Sequence, residues 1–231
     1  MHIIPAAGSA SRIGGIPKYL LPIGLEAKPI VKFHIEMALS NELPVCIVVN
    51  PKILEYFLEL IEKWKFTEVN VISANTQSMT ETIQVALKYC KIMSETVSVS
   101  MPDTLTSEML NSEYTCLSLL RDSGNALALW RIRPEQRGKL GEVEISIDET
   151  RVKKMVDKDP IANLDWSWGM FSLESNYLLN FDSTDSHPGI SLSKLVDRGF
   201  FLKYVKQKGE YWDCGTPIEY SSVLEKSLIV H

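Results

Sequence analysis

The chain has 231 residues, of which 45% are hydrophobic and 23% are charged, and its formal net charge is −5. These values are typical of a globular protein with a sizeable core, and the acidic balance argues against a protein that coats nucleic acid or a membrane surface. No apolar run approaches the roughly 18 residues needed to cross a bilayer, the first residues do not resemble a signal peptide, and the four cysteines form no CxxC pair. We therefore expect a cytoplasmic protein with free thiols and with no nucleic-acid or membrane partner.

Strands and helices are predicted to alternate along the first hundred residues. Apolar and β-branched runs indicate strands, and apolar residues at helical spacing indicate helices. The strands are predicted at residues 2–7, 44–50, 68–73 and 96–101, and the helices at residues 30–39, 53–64 and 80–93. Such alternation is typical of βαβ units around a parallel sheet. We therefore expect a Rossmann-like three-layer α/β/α fold with a central, mostly parallel mixed sheet, whose ligands bind beyond the carboxyl ends of its strands.

The second half of the chain shows a different pattern, with more strands that alternate apolar and polar residues. Strands are predicted at residues 126–133, 141–147, 151–157 and 165–173, and the second and third of these form a hairpin. Residues 200–205 and 210–213 are predicted to pair with each other through Gly209. Helices are predicted at residues 175–180, 191–197 and from 217 to about 228. No linker separates two domains, so we expect one domain over residues 1–231.

A loop of small residues follows the first predicted strand. It comprises Ala6, Ala7, Gly8, Ser9, Ala10, Ser11 and Arg12, and Pro17-Lys18 follow it. Small residues let backbone N–H groups approach a phosphate closely, and Arg12 and Lys18 would neutralise phosphate charge. The loop matches neither GxGxxG nor GxxxxGK[ST], so neither a dinucleotide fold nor a P-loop is indicated. Taken alone, it is also compatible with a Gly/Ser turn flanked by surface cations.

Five segments together resemble one enzyme family. Residues 5–12 and 17–23 resemble the signature of the nucleotidyltransferases that activate sugar phosphates and related alcohol phosphates. Three later segments resemble the sugar-phosphate branch, in the family's order. Residues 141–144 resemble its Gly-Val-Val-Glu strand, residues 156–160 its Glu-Lys-Pro segment, and residues 211–217 its Trp-x-Asp-x-Gly-Thr-Pro segment.

The resemblance implies a reaction and a division of the chain. The enzyme would transfer NMP from a nucleoside triphosphate to a phosphorylated sugar or polyol, with Mg²⁺ as cofactor and pyrophosphate as the second product. Residues 1–115 would form the nucleotide-binding half and residues 116–231 the acceptor-binding half. Such chemistry needs alignment of the reactants and stabilisation of charge at phosphorus.

The resemblance also implies catalytic roles for four residues. Arg12 and Lys18 would hold the triphosphate, and Asp103 and Asp213 would be the two metal ligands, since Mg²⁺ prefers carboxylate and water oxygens. Each aspartate has a simpler alternative interpretation, as a solvated loop carboxylate or as the N-cap of a helix.

Further residues are expected to contact the two substrates. Ala6, Ala7, Gly8, Ser9 and Ala10 would contact the phosphates, and Gln77 and Ser78 the base, although Ser78 with Glu81 also fits a helix-capping box. The acceptor-binding residues that the resemblance and the pattern indicate are Gly141, Glu142, Asp157, Lys158 and Trp168. Lys158 would meet the acceptor's phosphate, and Glu142 and Asp157 would lie near its hydroxyls. Trp168 fits a pocket wall or the core equally well.

Four departures from the family pattern affect the base and the acceptor more than the reaction. The stretch between Arg12 and Lys18 is short, which resembles the compact cytidylyl-type members of the family. Ala10 replaces the middle glycine of the loop, Asp159 is an extra residue in the Glu-Lys-Pro segment, and the usual base loop near Ser78 is absent. An alternative is therefore a catalytically weak homologue that binds nucleotide sugars as a sensor or regulatory subunit. An oxidoreductase is poorly supported, because the glycine fingerprint is missing. The sequence does not show the base, the acceptor or the oligomeric state, for which a homodimer is one option.

Overall fold

The computed structural model describes residues 1–8 and 17–228. Its thirteen strands in this part of the chain are β1 (His2–Ala6), β2 (Pro22–Ile23), β3 (Lys28–Pro29), β4 (Val45–Val49), β5 (Val69–Ser73), β6 (Thr96–Ser100), β7 (Thr104–Thr106), β8 (Ala126–Arg131), β9 (Gly141–Ile145), β10 (Val152–Asp157), β11 (Trp166–Glu174), β12 (Lys203–Lys206) and β13 (Tyr211–Asp213). Its eight α-helices are α1 (Ile30–Ser40), α2 (Leu54–Lys63), α3 (Met79–Tyr89), α4 (Ser107–Leu110), α5 (Thr115–Ser123), α6 (Ser175–Leu179), α7 (Pro188–Asp197) and α8 (Pro217–Ser227).

Nine of these strands form one mixed sheet. Seven follow the order β10-β9-β11-β6-β1-β4-β5, while β8 pairs with β11 and β12 pairs with β8. The strands of the first half, β1, β4, β5 and β6, are all parallel, and β9, β10 and β11 are joined by antiparallel pairs. The predicted alternation of strands and helices in the first half and the hairpin between β9 and β10 are therefore confirmed.

Helices cover both faces of this sheet. Along β4, Val45, Ile47 and Val49 pack into a core with apolar residues of α1, α2 and α5. The alternate residues Cys46 and Val48 pack into a second core with residues of α3, α6 and α7. Successive side chains of a strand point to opposite faces, so a fully apolar strand such as β4 requires cover on both. The predicted three-layer α/β fold around a mixed sheet is confirmed.

The last two strands do not pair as expected. We predicted a strand pair joined through Gly209, but β12 lies parallel to β8, and β13 pairs antiparallel with β7, where Asp213 lies opposite Thr104. The reason is packing: Trp212 is buried, and Tyr211 stacks on Trp130 with ring centroids 5.1 Å apart. This long-range pair brings the end of β13 next to the segment that follows β6.

Two expectations about the class of protein can be compared with this structure. All four cysteines are free thiols, as predicted. Within residues 1–8 and 17–228, no helix combines the length and the apolar character that a membrane span needs.

Candidate active site

A cleft of about 490 Å³ opens at the carboxyl edge of the parallel strands. The segments that directly follow β1, β4, β5 and β6 all contribute to it. Its lining includes Ala7, Gly8, Asn50, Asn75, Thr76, Gln77, Ser78, Pro102 and Asp103, together with Lys18, Tyr19 and Ser186. Ligands of open α/β sheets bind at this edge, so the cleft lies where the sequence predicted a binding site.

The first part of the predicted phosphate loop belongs to this cleft. Ala6, Ala7 and Gly8 line it. Ser9, Ala10 and Arg12 lie outside the described residues, so their expected contacts with a triphosphate remain predictions.

Lys18, Asp103 and Asp213 converge beside the cleft. The Lys18 Nζ donates to Asp103 Oδ2 at 3.3 Å, and the Gly215 N–H donates to Asp213 Oδ1 at 2.8 Å. A Cβ built on Gly215 would lie 2.6 Å from both Asp213 Oδ1 and Lys18 Nζ, and 3.5 Å from Asp103 Oδ2. The three side chains therefore meet beside the Gly215 Cα, at the point that a Cβ would occupy, so a larger residue at position 215 would displace Asp213 Oδ1 and Lys18 Nζ.

Both aspartates are set in place by backbone hydrogen bonds and not by helix capping. The Cys214 N–H donates to the Asp103 carbonyl at 2.9 Å, which ties the two aspartate segments together. The capping alternatives are wrong for both residues, because the N-cap of α4 is Thr106 and that of α8 is Thr216. Each threonine lies directly before the first residue of its helix, where its hydroxyl accepts a hydrogen bond from the first turn.

The pKa of Asp213 reflects both its burial and the neighbouring Asp103. Burial, and after it the charge of Asp103, raises the pKa of Asp213 to about 6, although the Gly215 N–H and the charges of Lys18 and Lys158 lower it in part. The predicted contact of Lys158 with a phosphate stays a prediction. Two carboxylates of this kind suit Mg²⁺, which usually takes one or two carboxylates and completes its shell with phosphate and water. No group of three or more His, Cys, Asp or Glu side chains gathers within the described ranges.

Gln77 and Ser78 line the cleft, and Ser78 also caps α3. The Ser78 Oγ accepts from the Glu81 N–H at 2.9 Å and donates to the Ser183 carbonyl at 2.7 Å. The Glu81 carboxylate accepts from the Gln77 N–H at 2.7 Å. The capping interpretation of Ser78 is therefore confirmed, with the return bond shifted to Gln77, while the expected base contact stays a prediction. Asn50 and Asn75 were not predicted as site residues, although Asn50 ends one predicted strand and Asn75 follows another at the binding edge.

Three predicted acceptor residues, Asp157, Gly141 and Trp168, lie close together. Asp157 lies opposite Gly141 in the pairing of β10 with β9. A Cβ built on Gly141 would lie only 2.3 Å from Trp168 Nε1. Trp168 is 7% exposed and packs on Phe171 at a centroid distance of 6.0 Å, so it is part of the core and borders Gly141 as well.

His187 joins this group, although no sequence motif had indicated it. Its Nε2 lies 2.6 Å from Asp157 Oδ2. The isolated histidine stands in no motif that resembles the family, so only the fold could bring it to attention.

The geometry of Glu142 differs from that of the other predicted acceptor residues. Its side chain is fully buried, and its oxygens accept from the N–H groups of Gly138 at 3.0 Å and Leu164 at 2.9 Å. Arg137 lies 3.7 Å from the same carboxylate. These contacts support a role in holding the loops around β9, and the predicted contact with an acceptor hydroxyl remains untested.

Comparison with solved structures finds this fold in nucleotidyltransferases. The inositol-1-phosphate CTP transferase from T. maritima is 17% identical, with a TM-score of 0.76 over 98% of this chain and 95% of its own. A UDP-glucose pyrophosphorylase complexed with UDP-glucose is 18% identical, with a TM-score of 0.76 over 97% of each chain. A UTP-bound UGPase from Acinetobacter baumannii is 15% identical, with a TM-score of 0.74 over 100% of this chain and 93% of its own.

At these identities the likeness shows the fold. The solved structures are of the class that the sequence segments resemble, which confirms the predicted fold of the nucleotidyltransferases. Neither a protein-family model nor a curated sequence matches the chain.

Proposed function

We propose that this protein is a nucleotidyltransferase that transfers NMP from a nucleoside triphosphate to a phosphorylated sugar or polyol and releases pyrophosphate, with Mg²⁺ as cofactor. The observation that carries the proposal is the convergence of Lys18, Asp103 and Asp213 on Gly215, at the binding edge of the sheet. The similar solved structures support it, since they include a CTP transferase and proteins bound to UTP or UDP-glucose.

The cleft would hold the nucleotide with its phosphates beside the cluster. Backbone N–H groups near Gly8 and the Lys18 ammonium would stabilise the charge that develops at the α-phosphorus, and Arg12 would add a second cation. Asp103 and Asp213 would hold Mg²⁺, which when bound offsets negative charge on the phosphate oxygens. The protein's own contribution is then mainly alignment and preorganised charge.

The acceptor would approach from the side of β10. Lys158 would bind the acceptor's phosphate, an oxygen of which must attack the α-phosphorus. The positive charge of Lys158 also lowers the pKa of Asp213. Asp157, Gly141 and Trp168 would then border the remainder of the acceptor.

A pyrophosphate-release assay tests this function directly. The protein is incubated with Mg²⁺, with each of the four nucleoside triphosphates, and with a panel of sugar 1-phosphates and inositol 1-phosphate. We expect release with at least one pair and none after chelation of the metal. Tight nucleotide binding without release from any pair would contradict the enzyme and favour the sensor or regulatory alternative, which the Ala10 substitution motivates.

Two variants test the site assignment. Lys18→Ala and Asp213→Asn should each lower turnover by about a hundredfold or more, because each removes one group that stabilises or anchors charge at the phosphates. Lys88→Ala and Asp122→Asn are matched controls on exposed helix positions and should keep wild-type turnover. Wild-type rates in both site variants would show that the cluster is not the reaction centre.

A further inference from the structure

His187 occupies a helix N-cap position but does not cap the helix. It directly precedes α7, and its side chain makes no hydrogen bond to the N–H groups of the first turn. The ring is directed to β10 instead, where its Nε2 lies 2.6 Å from Asp157 Oδ2. Both side chains are partly open to solvent, at 21% for His187 and 25% for Asp157. Neither full burial nor helix capping therefore accounts for the contact between His187 and Asp157.

The backbone turns sharply just after Asp157. Asp157 is the last residue of β10, and Lys158 has a φ of +49°. A non-glycine residue in this left-handed region is uncommon. Within a strand, neighbouring side chains point to opposite faces, but the turn ends the strand between these two residues. Lys158 and Asp157 can therefore face different neighbours, and Asp157 contacts His187.

Two glycines pack closely against Trp168, next to His187. A Cβ built on Gly189 would lie 2.6 Å from Trp168 Cζ2 and 3.0 Å from His187 Nδ1. A Cβ built on Gly141 would lie 2.3 Å from Trp168 Nε1, on the same edge of the indole. The Trp168 ring thus packs against two backbone segments, and the His187 ring adjoins one of them.

From this geometry we propose that His187 positions the acceptor by holding the Asp157 carboxylate, so that Asp157 accepts a hydrogen bond from a hydroxyl near the acceptor's phosphate. The inference rests on the proposed function and adds to it a residue that positions the acceptor. Within the described part of the chain, Asp157 Oδ1 has no hydrogen-bond partner, which leaves it available to a substrate hydroxyl. His187 acts through Asp157 and is a positioning residue, not a catalytic one.

Steady-state kinetics of two His187 variants test the role. His187→Ala should raise KM for the acceptor about tenfold or more, as expected for a charge-assisted hydrogen bond, with KM for the nucleotide and kcat little changed. His187→Gln keeps an N–H donor and should recover part of the loss. The inference is overturned if the acceptor KM of His187→Ala stays within about twofold of wild type, if both KM values rise together, or if His187→Gln behaves as His187→Ala does.

Deoxy analogues give a second test that does not depend on how the alanine variant folds. One mono-deoxy acceptor should bind wild type at least about fivefold more weakly than the parent acceptor, by loss of one hydrogen bond to a charged group. The same analogue should show no such loss in Asp157→Asn, where that bond is already weakened. Equal losses for every analogue in both proteins would exclude the proposed contact.

The inference and the proposed function fail in different ways. If no pair of substrates releases pyrophosphate, the function fails, and titration calorimetry with glucose 1-phosphate and inositol 1-phosphate tests His187 by itself. Weaker binding to His187→Ala than to wild type would retain the inference. Equal binding, or no binding to either protein, would overturn it.

Discussion

Gly215 shows how a residue without a side chain can shape a candidate active site. Lys18, Asp103 and Asp213 reach the same point from three different parts of the chain, and that point is the one that a Cβ of residue 215 would occupy. The two closest atoms, Asp213 Oδ1 and Lys18 Nζ, are tips of side chains, so a methyl group at position 215 can displace them without disturbing the core.

We therefore expect Gly215→Ala to separate activity from stability. Turnover should fall about tenfold or more, because small displacements of charge-stabilising groups are costly. The free energy of unfolding, measured by urea denaturation, should change by less than about 1 kcal/mol, as is usual for substitutions that leave the core packing intact. A variant with wild-type turnover would show that the cluster tolerates the displacement and does not need its present geometry.

The sequence made only some of these residues recognisable. Lys18, Asp103 and Asp213 lie in or beside segments that resemble a known pattern, and the fold brings all three together. His187 has no such context, and its proximity to Asp157 depends on where α7 packs against β10. A local sequence pattern does not contain that information, so His187 could be identified only from the three-dimensional structure.

At the scale of elements, local patterns predicted the positions of strands and helices better than they predicted which strands pair. The apolar runs of β1 and β4 predicted buried strands because such runs need cover on both faces. The partner of β13 was predicted wrongly, since the nearest strand in sequence is the default partner and here the stacking of Tyr211 on Trp130 prevails. The short strands β2 and β3 and the helix α5 were not predicted.

The start of α3 gives a prediction at this scale. Ser78→Ala should lower the free energy of unfolding by about 1 kcal/mol, because it removes the acceptor for the Glu81 N–H. Ser78→Thr keeps a capping hydroxyl and serves as the control. Thermal or urea unfolding measures the loss, and an alanine variant as stable as the threonine variant would contradict the capping role. If Ser78 also contacts the base, KM for the nucleotide rises in the alanine variant as well.

At the scale of the whole molecule, two buried histidines should link stability to pH. His2 is fully buried, with its ring nitrogens 2.9 Å from the hydroxyls of Ser98 and Ser100. Burial lowers its pKa to about 3. Burial also lowers the pKa of His34 to about 4, against the effect of its bond to the Thr104 carbonyl. Both side chains are therefore neutral in the folded protein at pH values where the unfolded chain binds protons.

The sign of the effect follows from proton uptake by the unfolded chain. Below pH 6.5 each histidine is protonated on unfolding, so stability should fall by about 1.4 kcal/mol per pH unit and per histidine as pH decreases toward 4. Urea denaturation between pH 7.5 and 5 measures the slope. The His34→Gln variant, if it folds, should lose about half of this slope. A free energy of unfolding that does not change over this pH range would contradict the assignment of both histidines as neutral in the folded protein.

The pairing of β7 with β13 also bears on the order in which the protein assembles. Residues 103 and 213 meet only when a long stretch of chain has been folded between them, and closing such a loop is an entropically demanding and slow event. The first carboxylate and most of the cleft belong to early, largely local βαβ units. During synthesis, the growing chain should therefore form most of the cleft well before Asp213 reaches Asp103. If both carboxylates are needed for the proposed reaction, the chain would become active only when its folding is nearly complete.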